Sequence, residues 1–216
     1  MQQVIAAQQN DTELLSTLPL TDEQGLILAD DNGVSLALHA VYYGHRTLAE
    51  WIVAHCAALD PYTAAALNDT ASLSQHLERD RRLLSAYSGD GFQLLGLACF
   101  FDASDAVALL LRLGANPSTP SQNAFSVAPL HSATAANSLV CVELLIAAGA
   151  DVNAIQRGGF RPIHAAAQHG NVAILRLLIA AGADTTALTN DNKTALDYAI
   201  TAQHSAACEL LRTYSV

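Results

Sequence analysis

Lysine is almost missing from this 216-residue chain: Lys193 is the only one, and Lys+Arg total 10 against 20 Asp+Glu, a formal charge of −10. So acidic a chain repels phosphate backbones, whose binding rests on clustered cations displacing counterions, and no nucleic-acid partner is expected. Long apolar runs are missing as well. The longest, counting glycine, is Leu94 to Phe101, against the roughly 20 residues a membrane-spanning helix needs, so no membrane insertion is expected. The opening Met1-Gln2-Gln3-Val4-Ile5-Ala6-Ala7-Gln8 has neither a basic stretch nor a long apolar one. It does not read as a secretory signal, and a cytoplasmic location is the expectation. The 4 cysteines, Cys56, Cys99, Cys141 and Cys208, form no CxxC pair and read as small packing residues in a reducing compartment. There is no H-E-x-x-H, no G-x-S-x-G elbow and no Walker-type glycine loop, so the expectation is a non-enzyme with no metal or cofactor.

What is abundant is small and helical. Apolar residues make up 51% and charged residues 14%, which excludes the low-hydrophobicity, high-charge signature of disorder. Alanine supplies 41 residues and leucine 33. Both are strong helix formers, and an all-helical architecture packed through small residues follows.

The chain repeats itself. PLHSATAANSLVCVELLIAAGADVN from Pro129 returns as PIHAAAQHGNVAILRLLIAAGADTT from Pro162, and His131/His164, Leu144/Leu177 and Gly149/Gly182 keep the same spacing. Such a period is the mark of a stacked-repeat architecture. A closing copy, KTALDYAITAQHSAACELL, carries Asp197 where the two before it carry His. Upstream, DGFQLLGLACFFDASDAVALLLRLGAN from Asp90 fits the frame with Gly96 in the His slot, and DDNGVSLALHAVYYGHRTLAEWIVAH from Asp30 fits again with Leu38 there. Tyr62 to Ser88 reads as a shortened unit, and the connection holding Pro117, Ser118, Pro120 and Ser121 as a longer loop.

Local chemistry explains the unit. Pro129 and Pro162 stand where a helix begins and a missing N–H has no cost. Gly44 and Gly170 end one helix, and Gly114, Gly149 and Gly182 end the next, in the left-handed conformation glycine tolerates. Val142, Leu144 and Leu145, then Ile174, Leu177 and Leu178, give each second helix an apolar face that one hairpin cannot bury alone. Ala165, Ala166 and Ala167 let neighbouring hairpins approach. Leu144→Ala or Leu177→Ala is expected to cost about 2–5 kcal/mol by leaving a cavity.

The PLHSA, PIHAAA, VxxLLIAAGAD and D-x-x-G elements resemble the ankyrin repeat family over residues 30–216. DGFQLLGLACFF and AAALNDTASLSQHL further resemble bacterial-type ankyrin proteins. The resemblance implies an all-α ankyrin-repeat solenoid of stacked helix-turn-helix units with short hairpin finger loops. Residues 1–29 would be N-terminal capping helices, followed in one continuous domain by repeats at about 30–59, 60–89, 90–126, 127–158, 159–190 and 191–216. It implies too that His131 and His164 are structural, tying helix starts to neighbouring hairpins. As a zinc pair they would sit too far apart, since packed helices lie about 8–10 Å from one another. Asp30-Asp31-Asn32-Gly33 lacks the ligand spacing of a calcium loop and reads as a finger turn. The Glu78-Arg79-Asp80-Arg81-Arg82 run reads as a neutralised solvent face.

In this family the fingers and inner-helix ends line one concave groove, so the resemblance implies that a protein partner binds there. The slots hold Tyr42, Tyr43, Phe100, Phe101, Gln168 and His169 on helix ends, and Phe92, Phe160, Arg157 and Lys193 on fingers. Aromatics and arginine are the residue types that dominate binding hot spots. The expected function is a non-catalytic, monomeric protein-interaction module. The competing reading is a small regulatory ligand-binding protein or enzyme with a pocket near Tyr42–Phe101, and the third is self-association through the end units.

Overall fold

The computed structural model describes residues 2–21, 28–56 and 59–214. Among them the helices come in pairs: α1 (Gln2–Gln8) with α2 (Thr12–Thr17), α3 (Leu36–Tyr42) with α4 (Arg46–Ala54), α5 (Pro61–Leu67) with α6 (Thr70–Arg79), and α7 (Leu94–Phe100) with α8 (Ser104–Arg112). Then follow α9 (Pro129–Ala135) with α10 (Leu139–Ala147), α11 (Pro162–His169) with α12 (Val172–Ala180), and α13 (Ala195–Thr201) with α14 (Ser205–Arg212). The odd-numbered inner helices pack each against the next from α1 to α13, and the even-numbered outer helices do so from α6 to α14. The result is an all-helical solenoid.

One turn is built seven times. Each inner helix hands over to its outer helix through a residue with positive φ: Asn10, Gly44, Asn68, Asp102, Asn137, Gly170 and Gln203. The next residue's N–H then donates, at 2.8–3.1 Å, to a helical carbonyl that is alanine in every case: Ala6, Ala40, Ala64, Ala98, Ala133, Ala166 and Ala199. All seven alanines are 0% exposed. A side chain longer than a methyl at these points would separate neighbouring inner helices.

Helix starts follow the local chemistry. Pro129 and Pro162 occupy the first helical turns of α9 and α11. Ser35, Asp60, Asp69, Ser138 and Asn171 accept a first-turn N–H on their side-chain oxygens, which satisfies donors that have no intrahelical partner. His164 and Asp197 do the same task with different atoms. His164 Nδ1 accepts the Arg161 N–H at 2.9 Å, and Asp197 Oδ2 accepts the Thr194 N–H at 2.8 Å.

Fingers precede α3, α7, α9, α11 and α13. In four of them the N–H of Asp30, Ser88, Gln156 or Thr189 donates to the carbonyl four residues on, that of Val34, Phe92, Phe160 or Lys193, at 2.8–3.0 Å. The longer connection closes instead from Ser121 N–H to the Val127 carbonyl at 2.9 Å. Successive fingers are joined by Gln122 N–H to Gly91, Arg157 N–H to Phe125 and Asn190 N–H to Gly158, at 2.8–2.9 Å. His131 Nε2 and His164 Nε2 reach the carbonyls of Phe160 and Ala187 in the next finger, at 3.2 and 3.1 Å.

The shortened unit has no finger, because only residues 55–60 separate α4 from α5. The finger before α3 therefore meets the finger before α7 directly. A Cβ built on Gly89 would lie 1.6 Å from the Asn32 carbonyl oxygen, so glycine is required for the two to touch.

The outer-helix face differs in one respect from its sequence pattern. Leu145 and Leu178 are 0% exposed, whereas Leu144 and Leu177 only pack partly buried against the core. Each pair occupies two consecutive positions, Leu144 and Leu145 on α10, Leu177 and Leu178 on α12, and the 3.6-residue period carries the second of each pair inward. The larger cavity cost therefore belongs to Leu145 and Leu178. Leu145→Ala is expected to lower stability by about 2–5 kcal/mol in urea denaturation, and by more than Leu144→Ala does. Equal losses would refute this assignment of the buried face.

Candidate functional site

The side of the stack formed by the fingers and inner helices holds a cavity of about 280 Å³ at the ends of α7, α9 and α11. Its aromatic walls are Phe92 and Phe160 on fingers, Phe100 at the end of α7, and Phe125 in the long connection; its C-terminal end is Gln168 and His169 at the end of α11. Its floor is His131, Ser132 and Ala135 of α9 together with Ala165 of α11. Two of the rings face solvent, with Phe100 43% and Phe125 57% exposed.

The ten residues singled out from the sequence separate into three groups. Phe92, Phe100, Phe160, Gln168 and His169 line this cavity. Arg157 stands one ring outside it and Lys193 two. The Arg157 guanidinium lies 5.6 Å from the centroid of Phe125, and the Lys193 ammonium 5.8 Å from that of Tyr198, whose ring packs edge-on against Phe160 at 5.3 Å. Tyr42 and Phe101 pack against the N-terminal core, with centroids 5.3 Å apart, while Tyr43 points outward at 56% exposure and lines no part of the cavity.

The Tyr42 hydroxyl donates to Asp90 in the finger before α7, which Ser88 also approaches. Burial, reinforced by the Asp90 carboxylate, pushes its phenol well above the usual range. It stays protonated and is a hydrogen-bond donor, not a base. Seven lining residues were not among the sequence candidates: the floor residues His131, Ser132, Ala135 and Ala165, and Phe125, Val127 and Gln156 on the walls. Val127 occupies the same finger slot as Phe160, 33 residues earlier by number in the chain, and that slot was the available signal. Phe125 lies in the lengthened connection, where the period is broken.

A larger cleft of about 430 Å³ opens on the outer side, lined by Ser74, Leu77, Arg81, Leu109 and Arg112 among others. It has no aromatic wall, and Arg81 is engaged with the Leu113 carbonyl at 2.9 Å. Among the described residues no group of three His, Cys, Asp or Glu is placed to hold a metal ion, and no helix is long and apolar enough to cross a membrane. Cys56, Cys99, Cys141 and Cys208 are all free thiols, and burial raises the Cys99 thiol well above its ordinary range.

Two buried groups in the cavity floor lead to measurable consequences. Burial pushes the His131 imidazole from 6.5 down to about 4, against the opposing pull of the Phe160 carbonyl; His164 is lowered for the same reason. Between these values the unfolded chain binds more protons than the folded one, so stability rises with pH through the window and is lost as pH falls through it. For His131 alone the full loss is on the order of 3 kcal/mol. The urea midpoint is expected to fall between pH 7 and pH 4.5, and His131→Gln to flatten the fall; a midpoint constant over that range would contradict the burial argument. Ser132 Oγ is buried with no hydrogen-bond partner, and Ala165 fills the equivalent slot of the following unit. Relieving a buried unsatisfied hydroxyl is worth about 1–3 kcal/mol, so Ser132→Ala is expected to raise the thermal midpoint; a lowered midpoint would show that the hydroxyl is satisfied in solution.

A family model for ankyrin repeats matches residues 130–215 in three copies. A search among curated proteins returns no match. Ankyrin repeats are in general protein–protein interaction modules, and the family is typically non-catalytic. The helix pairs before residue 130 turn through the same left-handed residue and buried alanine as those after it, so residues 130–215 are ankyrin repeats within a chain whose fold is that of an ankyrin-repeat solenoid.

Proposed function

We propose that the chain is a non-catalytic, monomeric interaction module that holds a protein partner in the concave groove between the fingers and the inner-helix ends. Tyr43, Phe92, Phe100, Phe125, Phe160, Arg157, Gln168, His169 and Lys193 are its contact residues. Tyr42 and Phe101 support Phe100 from behind, Phe101 meeting it edge-on at 5.0 Å. The helix pair α1–α2 closes the N-terminal end of the stack. A cytoplasmic location suits four unbridged thiols, which a reducing compartment preserves.

The observation that carries this reading is the pair of exposed rings on one cavity, Phe100 and Phe125, flanked by two finger cations. The exposed part of an aromatic ring adds little to the fold, whereas on a partner it supplies large rigid contact area at low entropic cost. The outer cleft offers only long charged side chains over a leucine floor.

The test is a comparison of partners retained from native lysate by the wild type, by Phe100→Ser with Phe125→Ser, and by the outer-cleft control Arg112→Ala, followed by affinities for the partner obtained. Loss of two hot-spot rings is expected to weaken binding at least about 30-fold, with only a small fall in the thermal midpoint, since Phe125 is 57% exposed and Phe100 loses only its packed edge on Phe101. Binding retained by the groove variant and lost in the control would move the site to the outer helices.

A further inference from the structure

The groove differs from the rest of the molecule in charge. The chain carries 20 Asp+Glu, yet none of the twelve residues lining the cavity is a carboxylate. Its polar lining is made of amides, imidazoles and one hydroxyl.

The cations beside it are uncommitted. Among the described residues, Arg46, Arg82 and Arg161 make ion pairs with Glu50, Asp80 and Asp184. Among the described residues Arg157 and Lys193 have no carboxylate within ion-pair distance, and they rest over Phe125 and Tyr198 instead. Lys193 contributes to the field at Asp197, but Asp197 Oδ2 is occupied by the Thr194 amide and hydroxyl. A cation over a ring face keeps its charge available on the solvent side, and guanidinium in particular offers a planar fork that fits a carboxylate.

Resting on the groove reading above, we propose that the occupant is an acidic linear segment of a partner protein. An apolar or aromatic anchor enters between Phe100, Phe125 and Phe160, and flanking Asp or Glu side chains meet Arg157 and Lys193. The cavity is too small, at about 280 Å³, for more than a side chain or two, which suits a peptide better than a folded domain. The finger cations stand on consecutive hairpins joined by the Asn190 N–H to Gly158 bond of 2.8 Å, so the acids they meet are separated along the segment. The acidity of the remaining surface acts as selection: a basic segment is drawn to the rest of the molecule and away from this strip.

The experiment uses a random dodecapeptide display library panned on the full chain, with fluorescence polarisation of the enriched peptides at low and high salt. Enriched peptides are expected to combine at least one aromatic or large aliphatic residue with a net negative charge. Arg157→Glu with Lys193→Glu should weaken them about tenfold and added salt should weaken them further, as for rim charges that steer and orient a partner. Neutral or basic peptides, or acidic ones indifferent to the charge reversal, overturn the acidic assignment; if they are still lost with Phe100→Ser and Phe125→Ser, the groove reading survives. Peptides unaffected by either variant, or no enrichment at all, overturn both. A dimer in sedimentation that the charge reversal dissolves assigns the groove to a second copy and overturns the proposal.

Discussion

Seven alanine methyls decide how close the helix pairs of this protein come. Each sits at 0% exposure on an inner helix, and its carbonyl accepts the hydrogen bond that closes the turn into the outer helix. The two roles are linked. A carbonyl can take a bond from five residues ahead only if the turn residue between adopts positive φ, and that tight turn brings the next hairpin within methyl distance. Packing at this density gains from many small dispersion contacts and from exclusion of water, and it tolerates added volume badly. Stability is consequently a property of the row, since no pair buries its own leucine face.

The groove inherits its geometry from that row. Inner-helix ends repeat at a fixed step, so the residues following each alanine's turn of helix present themselves at regular intervals on the side of the fingers and inner helices. Irregularity enters at two places. The unit built on α5 lacks a finger, which lets Tyr42 fold inward to Asp90 and brings Gly89 against Asn32. The connection before α9 is longer, which carries Phe125 out to 57% exposure beside Arg157. The cavity straddles the second of these, running from Phe92 and Phe100 across the long connection to the end of α11.

Much of the fold was legible because the residues that build it recur at the period. Pro129 and Pro162, His131 and His164, and the glycines after α8, α10 and α12 mark helix starts, finger ties and helix ends directly. Other parts carry no such mark. The inner-to-outer turn is glycine at Gly44 and Gly170 but Asn, Asp or Gln in the other five units, since short polar side chains also reach the left-handed region at modest cost. The slot of Asp197 could be read from the period, but its shared role with His164 could not, because what they share is an acceptor atom at one place and not a residue type. Leu144 and Leu145 are equivalent on a period count, and only the rotation of α10 against α8 and α12 makes the second the buried one. At the site, ring positions could be read from slots, but which ring turns inward could not. Tyr42 and Tyr43 are neighbours in sequence, and the missing finger decides that one is packed and the other is free.

On the proposed reading, the division of labour between alanine and aromatic lets such a scaffold bind at low cost. Binding loses affinity to whatever must be ordered on contact, and here little is left to order. The floor residues of α9 and α11 are fixed by helix packing, and the fingers are closed by their own hydrogen bonds and joined to one another. Phe160 is held between His164 and Tyr198 at 5.2 and 5.3 Å. The Arg157 side chain, resting over Phe125, has given up part of its rotamer freedom before any partner arrives. None of these contact residues supplies the buried methyls or left-handed turns on which the stack depends. The groove can therefore change its chemistry without changing the fold, and the exclusion of carboxylate from its lining, in a chain of charge −10, is a property of the site and not of the architecture.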